Sequence, residues 1–302
     1  MGEFIIEKDK WKKSFLFELA VNVFSADTLR AFRIYEAIKF LVQKSTPKVI
    51  ALTWEGHSWE RLVCYAAKNS GKKTATIGYQ HTNLFPSSHA LKRPIAAAYN
   101  PNVILTVGYF TNEIMKFAMN DSEVKVIAYG SPRLENKYVY SGSDQVSNGC
   151  LVAPEGLISE CIILFAFGIE AAKLMPGTNF IFRTHPTISF ADIQLKDNRL
   201  LQLPSNVIIS SFKKIEDDFK RCSWLLYRSS SVSFFAVLEG LRPLYLQLEN
   251  ELLNDPLYML TTWRLIVDKP DQLLAIINKD SWASAEEKSE NIKEAIVFCE
   301  TY

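Results

Sequence analysis

The sequence has no paired cysteines. Cys64, Cys150, Cys161, Cys222 and Cys299 stand singly along 302 residues, which excludes the short Cys spacings of zinc ribbons, redox motifs and disulfide frameworks, and the thiols read as reduced. An excess of charge of one sign is also missing. Thirty-four Lys and Arg face 33 Asp and Glu, a net +1, so no overall field exists to hold nucleic acid, and only a local anion site stays open. Long hydrophobic runs are lacking: Cys161 to Gly168 is the most apolar stretch, far short of the roughly 20 residues of a membrane span. Met1-Gly2-Glu3-Phe4 opens no secretion signal. The expected location is therefore the cytoplasm, with peripheral association at the inner face of the membrane left open. Neither an Asp-x-Asp element nor a His/Asp cluster marks a metal site, and no cofactor is expected.

What is present is ordinary globular usage, 48% hydrophobic and 22% charged, over a length that favours two domains. Apolar residues at helical spacing run from residue 11 to 43, with Ser25 as the cap between two helices. After Pro47 short β-branched runs alternate with helical stretches: Val49 to Thr53, Thr74 to Tyr79, Val103 to Val107 and Val124 to Tyr129. Such alternation predicts a parallel sheet. A Rossmann-like half normally opens with a strand, so residues 1–135 are read as an N-terminal domain lacking its first strand. A polar Ser-, Gly- and Asn-containing stretch follows, and 136–149 is the expected linker. From 150 to 302 a second strand series is predicted, beginning at Cys150, Phe180, Val207, Trp224, Pro243 and Leu265, with a last helix over Ser284 to Cys299.

In parallel α/β sheets the ligand lies beyond the carboxyl ends of the strands, so the residues there carry the chemistry. Thr53-Trp54-Glu55-Gly56-His57 offers Glu55 as an acid/base group, with Trp54 and Gly56 beside an acceptor; alternatively Glu55 caps the following helix or pairs with Arg61. Gln80 and His81, at the next strand end, offer an amide and an imidazole for oxygen atoms. In the second half, Pro154-Glu155-Gly156 precedes a helix N-terminus suited to an anion, although Glu155 would repel phosphate unless it grips sugar hydroxyls. Arg183-Thr184-His185-Pro186 and Arg228-Ser229-Ser230-Ser231 together supply guanidinium, imidazole and hydroxyl donors for a phosphate pocket.

These residues resemble the GT-B glycosyltransferases, two Rossmann-like domains facing across a cleft, and among them the bacterial surface-carbohydrate enzymes that use CMP-activated acidic sugars of the Kdo or sialic type. RTHP resembles their His-Pro motif, YRSSSVS their serine motif and LEGLRPLYL the strand entry that follows. The resemblance implies that His185, Ser229, Ser230 and Ser231 bind the CMP phosphate and that Glu55 is the acidic residue of the acceptor-side domain. The ribose-holding Glu of many members is replaced by Phe235, and Glu239 one turn later is the expected substitute. The implied activity is metal-independent transfer from a nucleotide-sugar donor to a glycan or glycolipid acceptor in capsule or lipopolysaccharide biosynthesis. Alternatives on the same fold are CDP-glycerol glycerophosphotransfer, UDP-sugar epimerisation and a non-catalytic scaffold in a glycan-assembly complex.

Overall fold

The computed structural model describes residues 10–93, 95–120, 122–131, 147–278 and 285–301. The chain divides into two compact units, residues 1–82 with 88–132, and residues 83–87 with 133–302. Most of the expected linker, residues 136–146, lies outside the described residues, and its last residue, Gly149, already opens a strand.

In the first unit α1 (Lys10–Val23) and α2 (Ala26–Ser45) are separated where the Ser25 hydroxyl accepts the Thr28 amide at 3.2 Å, the N-cap bond expected of Ser. Thr46 in the left-handed region, followed by Pro47, stops α2. Then come β1 (Val49–Thr53), α3 (Ser58–Lys68), β2 (Ala75–Gln80), the single turn α4 (His89–Lys92), β3 (Val103–Thr106), α5 (Tyr109–Ala118) and β4 (Lys125–Ala128). All four strands are parallel and lie in chain order β1-β2-β3-β4. Right-handed crossovers that always step the same way place their helices on one face of the sheet. Accordingly Thr76, Gly78, Gln80, Ile104 and Thr106 are buried, while Val49, Ala51, Thr53 and Ala75 on the other face are exposed.

The second unit contains β5 (Gly149–Val152), α6 (Ile158–Leu174), β6 (Asn179–Phe182), α7 (Phe190–Gln194), β7 (Val207–Ile209), α8 (Glu216–Phe219), β8 (Trp224–Tyr227), α9 (Val232–Leu238), β9 (Arg242–Leu246), β10 (Leu265–Val267), α10 (Pro270–Asn278) and α11 (Ala285–Thr301). Its parallel sheet has the order β10-β9-β8-β5-β6-β7. From β5 the chain builds outward to β7, then returns to the other side of β5 and builds outward to β10. The direction reverses between β5 and β8, the topological switch point at which doubly wound sheets hold ligands. Both strands are buried along their whole length, as sheets covered on two faces require.

The apolar run Cys161 to Gly168 belongs to α6 and forms core: Cys161, Leu164 and Phe165 are fully buried, and Phe165 stacks on Phe182 at 4.6 Å. A Cβ on Gly168 would come within 2.9 Å of the Phe182 ring, so glycine sets how closely α6 approaches β6. No helix among the described residues is long and apolar enough to cross a membrane.

Candidate functional site

In the second unit three strand tips meet around the switch point. Residues 153–157 leave β5, residues 183–186 leave β6 and residues 228–231 leave β8. The His185 ring packs on Gly156, where a Cβ would lie 3.1 Å from Nδ1 and 3.2 Å from Cγ; a side chain there would push the imidazole aside by a few tenths of an ångström. Nδ1 accepts the Thr187 amide at 3.3 Å and lies 2.8 Å from its hydroxyl. Because an amide only donates, the neutral ring carries its proton on Nε2, which assigns that atom as a donor for a ligand.

Glu155 stands beside this ring. Burial raises its pKa above the ordinary carboxylate value and the negative Glu160 raises it further, against the opposing pull of a hydrogen bond from Ser229 and the charges of Arg228 and His185. Arg228 is itself buried, its Nε donating to Glu160 Oε2 and its Nη2 to Glu251 Oε2, both at 2.6 Å. Its Nη1 is buried and has no hydrogen-bond partner among the described residues. Ser230 is buried, and its hydroxyl accepts the Val232 amide at 3.4 Å, while Ser231 caps α9 without a side-chain bond. The backbone carbonyl of Ser229 takes a 3.4 Å hydrogen bond from Asn83, which belongs to this unit.

Three expectations are corrected. The Arg183 guanidinium is committed to the protein: Nη1 donates to the buried Asp218 at 2.5 Å and to the Ser210 hydroxyl at 3.2 Å, and Nη2 to the Lys213 carbonyl. It braces the 210–218 loop instead of reaching a phosphate. Glu239 caps the far end of α9 and sits with Glu216 and Lys220, because α9 runs back from the strand tips toward the start of β9. Finally, one guanidinium among Glu155, Glu160 and Glu251 does not make a strongly cationic pocket. The donors are His185 Nε2 and serine hydroxyls, with Glu155 as acceptor, while Arg228 Nη1 is enclosed by protein. Such a mixed set suits a group bearing both phosphate and hydroxyls. Thr187, Glu160, Glu251 and Asn83 were missed in the sequence; only Thr187, two residues past the His-Pro turn, carries a local signal for its role. Pro186 is exposed at the end of its tip.

In the first unit the 54–57 turn is built by Glu60. This fully buried carboxylate accepts the Thr53 hydroxyl at 3.0 Å and the amides of Glu55 and His57 at 2.9 Å each. Glu55 therefore neither caps α3 nor pairs with Arg61. Arg61 instead donates to the Gly56 carbonyl at 3.1 Å, Asn100 at 2.9 Å and the Ala90 carbonyl at 2.5 Å. Glu55 is left half-buried, one oxygen 2.9 Å from His57 Nε2 and the other 3.8 Å from His81 Nε2. His81 Nδ1 is buried without a hydrogen-bond partner among the described residues. A carboxylate held between two imidazoles can take a proton from a hydroxyl.

The remaining acceptor-side candidates fall elsewhere. Trp54 is fully buried, lying over Gly78 with Arg61 5.3 Å from its ring. Gln80 is fully buried and donates to the Thr82 carbonyl. Gly56 has φ +78°, and a Cβ there would meet the Ala90 carbonyl oxygen at 2.5 Å, so glycine admits the protein's own backbone and not a ligand. Among the described residues no three His, Cys, Asp or Glu side chains gather as a metal site.

The sequence matches no protein-family model and no curated protein. Its fold does match solved structures. A glycosyltransferase from Rickettsia africae ESF-5 superposes with a TM-score of 0.54 at 9% identity, over 90% of this chain and 77% of that one. Acinetobacter baumannii MurG gives 0.52 at 11% identity, over 88% and 74%. TarM gives 0.52 at 9% identity over 87% of this chain, which spans 54% of the TarM chain, about half its length. The fold is thus α/β with two Rossmann-like units, the GT-B class.

Proposed function

We propose that this chain is a glycosyltransferase. The observation that carries the reading is the gathering of His185 Nε2, Arg228, Ser229 and Glu155 at the β5/β8 switch point, in a fold shared with glycosyltransferases. A nucleotide-sugar would place its phosphate against the His185 and serine donors and its hydroxyls against Glu155. In the N-terminal unit Glu55 would remove the proton from an acceptor hydroxyl. The oxygen then attacks the anomeric carbon, the bond from that carbon to the phosphate oxygen breaks, and the nucleotide leaves with the electron pair while His185 hydrogen-bonds its phosphate. If Glu55 instead acts as a nucleophile the anomeric configuration is retained, so the product anomer separates the two courses. The sequence resemblance supports a CMP-activated acidic sugar as donor and a surface glycan or glycolipid as acceptor, transferred without a metal ion.

Calorimetric titration of the whole chain with CMP and UDP tests the donor site. Binding of CMP over UDP, lost in His185→Ala, supports this reading. A preference for UDP points to a UDP-sugar transferase or epimerase, and no binding of either removes the donor site. Glycerophosphate in the product would signify the CDP-glycerol reaction, and turnover abolished by EDTA would overturn metal independence.

A further inference from the structure

We infer that two copies of this chain associate by exchanging α1, each copy laying its α1 on the open face of the other's N-terminal sheet. Parallel sheets are found with both faces covered. Here α3 and α5 cover one face, and the other is open: Val49 and Ala51 of β1 and Ala75 of β2 are exposed, and Ile77, Leu105 and Ile127 beside them are half-buried. These side chains make an apolar surface across all four strands. α1 is the matching piece. From Lys12 to Val23 none of its residues is buried; Phe15, Phe17 and Val23, with Phe24 after them, are more than half exposed, and Leu19 and Val21 nearly half. Ser14, Glu18 and Asn22, four apart, form one polar stripe, and the rest of the circumference is apolar apart from Lys12 and Lys13 near its start. A helix apolar over so much of its surface belongs in a protein interior.

The connection to α2 keeps α1 from covering its own sheet. Only Phe24 and Ser25 separate the two helices, and the turn is pinned: the Thr28 hydroxyl donates to the Asn22 carbonyl at 2.7 Å and the Ser25 amide donates to the same carbonyl at 3.1 Å. α2 in turn packs along α3 on the covered face. Two residues span about 7 Å, whereas helix layers on opposite faces of a sheet stand roughly 20 Å apart. The open face is therefore out of reach of the α1 in its own chain and accessible to the α1 of a second copy.

Length, charge and area agree with this occupant. The 14 residues of α1 make a rod about 21 Å long, and the five residues of β1 span about 17 Å. Helices on a parallel sheet run antiparallel to its strands. That direction sets the carboxyl end of α1, the negative end of its dipole, against Lys73 and Lys125, exposed at the amino ends of β2 and β4, and sets Lys12 and Lys13 toward Glu55 at the carboxyl ends. A helix with these aromatic side chains covers roughly 400 Å² on each side of the contact. Exchange makes the contact twice, about 1,600 Å² in all, the size of a stable interface.

Sedimentation velocity of the full chain across micromolar concentrations tests the exchange, and a reversible dimer is expected. Phe17→Asp combined with Leu19→Asp spoils α1, and Ala51→Arg spoils the sheet face. Each variant loses both contacts of its dimer and should associate at least about a hundredfold more weakly than the parent chain. Mixing the two variants restores one contact, the intact α1 of one on the intact sheet of the other, so a mixed dimer should form at least about tenfold more tightly than either variant alone. Should Ala51→Arg not fold, the α1 variant decides together with hydrogen exchange of residues 12–23 in the parent chain, which should slow as the dimer forms. A chain that stays monomeric throughout, a dimer that survives either variant, or a mixture no tighter than its components overturns the exchange. So does a monomer that uses α1 to bind phosphatidylglycerol vesicles instead.

Discussion

Removing Glu60 should release the turn that presents Glu55. The carboxylate is fully buried and holds one hydroxyl and two amides at 2.9–3.0 Å, and hydrogen bonds to a charged acceptor contribute about 1.5–3 kcal/mol each. Glu60→Ala loses all three but lets water reach part of the turn, so a net cost of about 3–5 kcal/mol is expected. Glu60→Gln is milder. Its amide can turn its oxygen toward the two backbone N–H groups and its NH2 toward the Thr53 hydroxyl, which accepts as readily as it donates. Only the charge assistance is then lost, about 1–2 kcal/mol. With a urea slope near 1.5 kcal/mol/M for a unit of this size, the midpoint should fall about 2–3 M for Ala and about 1 M for Gln. Hydrogen exchange of the peptide spanning residues 53–60, followed against urea, reads this unit separately from the other. If the Glu55 and His57 amides in Glu60→Ala exchange as slowly as in the parent chain, the account of the turn is wrong.

Glu155→Gln should raise the melting temperature by about 1–3 °C at neutral pH. Burial and Glu160 lift the Glu155 pKa, so its protonated form favours folding below the ordinary carboxylate range and that contribution is lost as pH rises through the lifted value; the gain in the variant should vanish near pH 4, and a gain that persists there would contradict the assignment. Gly56→Ala places a Cβ 2.5 Å from the Ala90 carbonyl at φ +78° and should cost about 2–4 kcal/mol in urea unfolding; a neutral effect would show that the loop simply shifts. Asp255 is fully buried between Tyr227 at 2.7 Å, Arg264 at 2.6 Å and the Leu257 amide at 2.8 Å. Asp255→Ala should cost about 3–5 kcal/mol by stranding a guanidinium and Tyr227→Phe about 1–2 kcal/mol; equal losses by calorimetry would argue against that ranking.

Strand positions were legible because each β-branched run ends at a polar or glycine-containing tip, and the predicted starts fall within a residue of those in the structure. The chemistry at the tips was legible in part. His185, Gly156 and Ser229 are each local to one turn at a strand end, so their proximity to the switch point follows from strand order alone. Strand parity accounts for Trp54 and Gln80, which continue the inward series Leu52-Trp54 and Gly78-Gln80, whereas Glu55 continues the outward one. Glu60 was hidden because the N-cap is His57, not the Ser or Thr of the usual capping box. The neutralisation of Arg228 was beyond local reading, since Glu160 and Glu251 lie 68 and 23 residues away. Glu239 lies away from the strand tips because its helix runs back from them, which residue spacing alone does not reveal.

The reversal between β5 and β8 sends the two tips that flank it into helices on opposite sides of the sheet, because right-handed connections stepping in opposite directions must leave by opposite faces. Insertions or replacements in residues 153–157 would be absorbed by the entry to α6, and those in 228–231 by the entry to α9. The two borders of the crevice can consequently diverge in length and chemistry one at a time over an unchanged core, a natural route by which one scaffold changes the small molecule it selects.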